Sequence, residues 1–200
     1  MTDYTTAHRH QLEAYLASHN LPKGVGKTKS ACTLAAINLA MSGRLTDAIP
    51  DCMSEVLGRA AIGLQDAMPD EMRNSSRYKR LIPDMPGTGR DQEKERLEIL
   101  MDWMWGVVLP QLQPIADRRG FGETWRLMCH DRTAAAADAA DSAAARAAFA
   151  ADAAVAAAAL AAAARAADAA RASDARADFW ATIEPIGVLE RMTYLTGAKP

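Results

Sequence analysis

One alanine tract limits what this chain can fold into. Of its 44 alanines, 30 fall in the 44 positions from Ala134 to Ala177, and only Phe149, Val155 and Leu160 there are large and apolar. Alanine has the best helix propensity, and no Gly or Pro occurs between Thr124 and Thr182, so a continuous helix is expected. As a straight rod, Ala134–Ala177 would span roughly 66 Å at 1.5 Å per residue. A compact domain of this length has a diameter near 40 Å, so the rod must project, bend or be covered by another copy of the chain. On a helical wheel Asp138, Asp141, Ser142, Arg146, Phe149, Asp152 and Leu160 share one side, and the other side is almost bare alanine. Such a face admits close approach of a second helix, so homo-oligomerisation through this tract is expected.

Elsewhere the apolar spacing is helical, and no run alternates with the period of a strand. The pattern predicts helices over Thr6–Ser18, from an N-cap at Ser30 to Ser42 with Gly43 as C′ residue, and from Asp51 or Ser54 to just before Pro69. Gly58 and Gly63 in the third helix suggest close approach of another backbone. A shorter helix covers Ser75–Ile82, and Asp91 caps a strong one through Leu109 whose first turn suits Glu93 and Glu95. Pro110 and Pro114 interrupt its continuation toward Gly120, and Pro185 opens a last helix. The expected fold is therefore all-α: a helical head over 1–122, a long Ala-rich helix over 123–182, and a short helix over 183–200 packing back on the core.

The formal net charge of −2 gives neither the cationic excess of a duplex nucleic-acid binder nor an acidic surface. The longest apolar run, Ala153–Ala164, lies between Asp152 and Arg165 and is too short to span a bilayer. No apolar segment comes after the N-terminus, so no secretory signal is expected. Cys32, Cys52 and Cys129 are odd in number and widely spaced, which favours free, buried thiols and a cytoplasmic address over disulfides or metal.

Three segments invite a chemical reading. Lys23-Gly24-Val25-Gly26-Lys27-Thr28 resembles a phosphate loop, but the required first glycine falls on Leu21 and Pro22 sits inside the loop. A polar connection into the second helix is the expectation there. Pro86-Gly87-Thr88-Gly89-Arg90 opens onto a helix N-terminus, where backbone N–H groups with Thr88 and Arg90 form a candidate anion cradle, although Asp91 and Glu93 would repel a phosphate. Arg73, Arg77, Lys79 and Arg80 with Tyr78 among them form the one concentrated basic stretch, a candidate grip for phosphate or an acidic surface. Trp103 and Trp105 point to opposite sides of a helix, so one can be core while the other reaches a second surface. His8 and His10 do not converge on a metal, Cys129-His130-Asp131 point different ways, and no hydrolase or metalloprotease motif occurs. No cofactor and no enzymatic activity are expected.

The phrases at 31–40 (ACTLAAINLA), 45–54 (LTDAIPDCMS), 65–69 (QDAMP), 87–90 (GTGR), 102–105 (DWMW) and 109–114 (LPQLQP) resemble a family of uncharacterised tailed-phage and prophage proteins. In that family such a head precedes an Ala-rich tract and a short Trp-containing end. The resemblance implies a small accessory protein made in the bacterial cytoplasm, and it brings no site residues. Such proteins often act by stoichiometric binding, so the expected role is counter-defence: sequestering a nucleotide immune signal. Arg73, Arg77, Lys79, Arg80 and Arg90 would meet its phosphates, and Tyr78 or an exposed Trp its base. The alternatives are inhibition of a host defence protein and a structural or assembly role in the virion.

Overall fold

The computed structural model describes residues 3–132, 134–149 and 173–195. The fold is all-α apart from one two-stranded ribbon. The chain divides into two compact units, Met1–Leu100 together with Pro185–Pro200, and Met101–Glu184. The first unit is thus discontinuous in sequence, and the division falls within a helix rather than at residue 122.

In the first unit α1 (Thr6–Ser18) starts at a Thr5 N-cap, whose hydroxyl accepts the His8 N–H while His8 accepts the Thr5 N–H. Leu12 and Leu16 are its buried residues. The strands β1 (Gly26–Lys27) and β2 (Ser30–Ala31) come next, too short to show any alternation in the sequence. They displace the start of α2 (Thr33–Ser42): its N-cap is Cys32 rather than Ser30, with the thiol accepting the Ala35 N–H. Gly43 closes α2 in the left-handed region at φ 70°. Leu34 and Ile37 are fully buried, and the Asn38 amide donates to the carbonyls of Leu34, Thr46 and Ala48, which pins the next loop. Ser54 caps α3 (Glu55–Ala67). Gly58 is needed there because a Cβ would lie 2.8 Å from Ile49, a side chain rather than a backbone; Gly63 faces open space. Two short helices, α4 (Asp70–Arg73) and α5 (Ser76–Leu81), lead through a 3₁₀ turn at Ile82–Asp84 to the loop before α6 (Glu93–Trp103).

In the second unit the helical path widens into a π segment at Met104–Val108, tightens into a 3₁₀ turn at Leu109–Leu112 and resumes as α7 (Gln113–Arg118). Pro110 and Pro114 cause this: neither has an N–H to give, and each sits in the first turn of the segment it opens. Next, α8 (Gly122–Asp131) ends at Arg132, which caps it in the left-handed region at φ 53°. The continuous helix expected from residue 123 is therefore broken at a residue that is neither Gly nor Pro. The Arg132 N–H bonds to the Met128 carbonyl, and its guanidinium lies 3.3 Å from Asp102.

α9 (Ala134–Phe149) begins the Ala-rich tract, with Asp138, Asp141 and Ser142 exposed and Ala140 buried. Ala140 joins Leu109, Leu112 and Met128 in one cluster, and Ala136, Trp105, Trp125 and Phe179 pack against it. At these turns Ala136 and Ala140 pack against residues of their own chain, and Ala135 and Ala139 are exposed; residues 150–172, on which the rest of the tract falls, lie outside the described residues. Trp103 and Trp105 both serve as core, Trp103 donating its indole N–H to the Ile183 carbonyl. The last helices are α10 (Ser173–Ile183) and α11 (Pro185–Thr193), separated by Glu184 at φ 50°.

Candidate functional site

The basic stretch does not assemble as one surface. Arg73 ends α4 with its guanidinium turned inward, where the chain brings three carbonyls together. Nε donates to Leu21 at 3.0 Å, Nη1 to Gln65 and Met68 at 2.9 and 3.0 Å, and Nη2 pairs with Asp70. Tyr78 is fully buried, with its hydroxyl 2.9 Å from that of Thr33; burial raises its pKa above the ordinary tyrosine value. Neither side chain is available to a ligand, which corrects the expectation that they grip one. Arg77 faces solvent but makes a two-pronged contact with Glu190, Nε–Oε1 3.0 Å and Nη2–Oε2 2.7 Å. Lys79 donates to the His19 carbonyl at 2.8 Å. Arg80 is exposed and unpaired among the described residues.

The glycine loop is also occupied by its own chain. The N–H groups of Gly87 and Gly89 both donate to the Cys52 carbonyl, at 2.9 and 3.0 Å. Thr88 donates to the Met85 carbonyl and accepts the Ser54 N–H, so it braces the turn rather than facing a ligand. The Thr88 and Gly89 carbonyls receive the buried Arg96 guanidinium. Arg90 stays exposed, 3.4 Å from Glu55. Glu93 does not serve its own helix end but reaches α3, where its carboxylate accepts the Glu55 N–H at 2.7 Å, the Val56 N–H at 3.1 Å and the Ser54 hydroxyl at 2.8 Å. A carboxylate of this chain thus fills the N-terminus of α3, and the loop amides of Gly87 and Gly89 are spent on Cys52.

Burial alone would favour the neutral acid at Glu93. The Ser54 hydroxyl, the two backbone amides and the positive charge of Arg96 outweigh it and hold the pKa below the ordinary glutamate value. A depressed carboxyl stabilises the fold above its unfolded pKa of about 4.3, and that contribution fades as pH falls through the lower folded value. Glu93→Gln should therefore cost about 1.5–3 kcal/mol at neutral pH, the usual worth of hydrogen bonds to a charged group. The variant should also lose less further stability on acidification than the parent. Urea midpoints measured from pH 7 down to pH 3 check this; parallel curves for the two proteins would refute it.

What the head does present is the hairpin before α2. Pro22 is held by the Gln65 amide at 2.7 Å, and the Gly24 N–H by Asp66 at 2.8 Å. The Ala31 N–H donates to the Tyr15 hydroxyl at 2.8 Å, and the Cys32 N–H to the Val25 carbonyl at 3.0 Å. Gly26, at φ 81°, has no room for a Cβ, which would overlap the Ser30 carbonyl. The register pairs Gly26 with Ala31 and Lys27 with Ser30. Ala31 is fully buried, so by strand alternation the Lys27 pair faces away from the core. Lys23, Lys27 and Lys29 are all exposed, and none of their ammonium groups has an ion pair or hydrogen bond among the described residues. The sequence offered a signal, three lysines in seven residues punctuated by two glycines, but it points first to a phosphate loop. The backbone forms a two-stranded antiparallel hairpin instead, and Pro22, Lys23 and Ser30 at its base line a cavity with Asp70, Glu71 and Arg73.

Among the described residues no group of three His, Cys, Asp or Glu side chains is placed to hold a metal, and no helix is long and apolar enough to cross a membrane. All three cysteines are free thiols, Cys32 buried and the other two half-buried. No protein-family model matches the chain, and no curated protein or solved structure is found to be similar to it.

Proposed function

We propose that this chain is a non-enzymatic phage accessory protein that works in the bacterial cytoplasm by stoichiometric binding, occupying an anionic host component in counter-defence. The Lys23–Ser30 hairpin carries the reading. Its base is fixed by α1 and α3, its three ammonium groups form no ion pair among the described residues, and a loop held by its scaffold is where binding residues concentrate. The resemblance of residues 31–122 to tailed-phage and prophage proteins supplies the setting. The basic stretch and the glycine loop lend less support, since Arg73 and Tyr78 are internal and Arg77 and Arg90 face carboxylates.

Expression in bacterial strains that each carry one defined defence system, with phage challenge of each, tests the role. Plating should recover in at least one strain with the parent protein and not with the K23E/K27E/K29E variant. Failure in every strain would remove the counter-defence role. Recovery that survives the triple substitution would remove the hairpin from it.

A further inference from the structure

We infer that the anionic partner of the hairpin is a cluster of carboxylates on a protein surface, an assignment that rests on the proposed binding role. Charge number, the absence of aromatic side chains and the carboxylates beside the hairpin's base argue for it together.

A nucleic-acid contact commonly neutralises about 6–10 phosphates, whereas three lysines would support a salt slope of only about −2 to −3 and correspondingly weak binding. Single-stranded sites add aromatic platforms for bases, and residues 22–31 contain no aromatic side chain. A nucleotide signal needs a concave pocket that buries most of its surface, and the cavity at the base of the hairpin, beside Pro22, Lys23 and Ser30, is also lined by Asp70 and Glu71, whose carboxylates oppose a phosphate. The cations are all lysines. Each is a compact point charge on a flexible stem, able to follow scattered carboxylates without a fixed bidentate geometry.

The tip is also preorganised. Hydrogen bonds from Gln65, Asp66 and Tyr15, with two left-handed glycines, fix the backbone before any partner arrives, so little ordering cost remains. Asp66 is engaged by the Gly24 N–H rather than by a lysine, so the nearby carboxylate fixes the hairpin and leaves its ammonium groups without an ion pair among the described residues. Such an arrangement speeds encounter with an acidic surface and fixes its orientation, and salt weakens it steeply.

The test uses the full chain and two fluorescent probes of equal charge, a short poly-glutamate peptide and an oligothymidylate, with binding read by anisotropy at low and raised salt. Poly-glutamate should bind more tightly than oligothymidylate. K23E/K27E/K29E should weaken it by roughly tenfold or more, as expected for loss of several close charge pairs. K23R/K27R/K29R should retain it. A control with the same change of net charge at other exposed cations, R44E/K94E/R191E, should stay within about twofold, because those charges lie outside the contact. Tighter binding of oligothymidylate would overturn the protein partner while leaving the anionic reading standing. No binding of either probe would overturn both. Equal losses in the two reversed-charge triples would show that net charge, not the hairpin, attracts the probe. If the hairpin triple melts early, K27E and K29E singly take its place, each expected to weaken poly-glutamate more than R44E does.

Discussion

Arg73→Ala is expected to destabilise the first unit by about 2–6 kcal/mol, because it takes the guanidinium from the buried Gln65 and Met68 carbonyls, at about 1–3 kcal/mol each, and leaves the Leu21 carbonyl to the Asn74 amide alone. The guanidinium is 2% exposed and ties the segment at Leu21 to the end of α3 at Gln65 and Met68. Lysine is a poor substitute, since one ammonium cannot reach carbonyls that a planar fork spans from both sides, so Arg73→Lys should recover only part of the loss. Arg80→Ala, seven residues on and exposed, should stay within about 0.5 kcal/mol of the parent. Urea unfolding must be monitored by far-ultraviolet circular dichroism. All four tryptophans, at 103, 105, 125 and 180, lie in the second unit, and their fluorescence reports on that unit. Equal losses for Arg73→Ala and Arg80→Ala would return Arg73 to the surface and to the candidate ligand contacts.

Why the sequence misplaces Arg73 is itself physical. Four cations in eight residues read as a solvated face, and nothing local marks which of them turns inward. That is decided by carbonyls 52, 8 and 5 residues away in sequence, brought together only by the tertiary fold. Glu93 misleads in the same way: it stands in the first turn of α6, where an acidic residue suits its own helix, yet it caps a helix 37–39 residues earlier. Local signals do better where the physics is local. The bounds of α1, the left-handed Gly43 and the proline-opened α11 all arise from capping and backbone preference. The ribbon escapes because two residues cannot display a period of two. The stop at Arg132 escapes because a non-glycine residue adopts φ 53°, held by contacts to Met128 and Asp102 that propensity does not contain.

The second large effect concerns how the end of the chain is fixed to the head. In α11, Ile186, Val188, Leu189 and Met192 are buried, and each contributes about 1.5–3 kcal/mol without specifying direction. Direction comes from Arg96, which is 2% exposed and donates to the Met192 carbonyl at 3.0 Å, to Gly89 at 3.3 Å and to Thr88 at 2.8 Å. One side chain thus ties the last turn of α11 to the glycine loop. Tyr194–Asp84 and Arg77–Glu190 also reach this end of the chain, but both pairs are partly exposed to solvent, where such contacts are worth about 0–1 kcal/mol. Arg96→Met keeps length and apolar volume while removing every donor, so it should cost about 3 kcal/mol through the stranded carbonyls. At 1.4 kcal/mol per factor of ten, amide exchange protection in Leu189–Met192 should fall roughly a hundredfold. The tryptophan-detected transition of the second unit should move much less. Unchanged protection in α11 would mean that its apolar face alone sets the docking, with Arg96 merely accommodated.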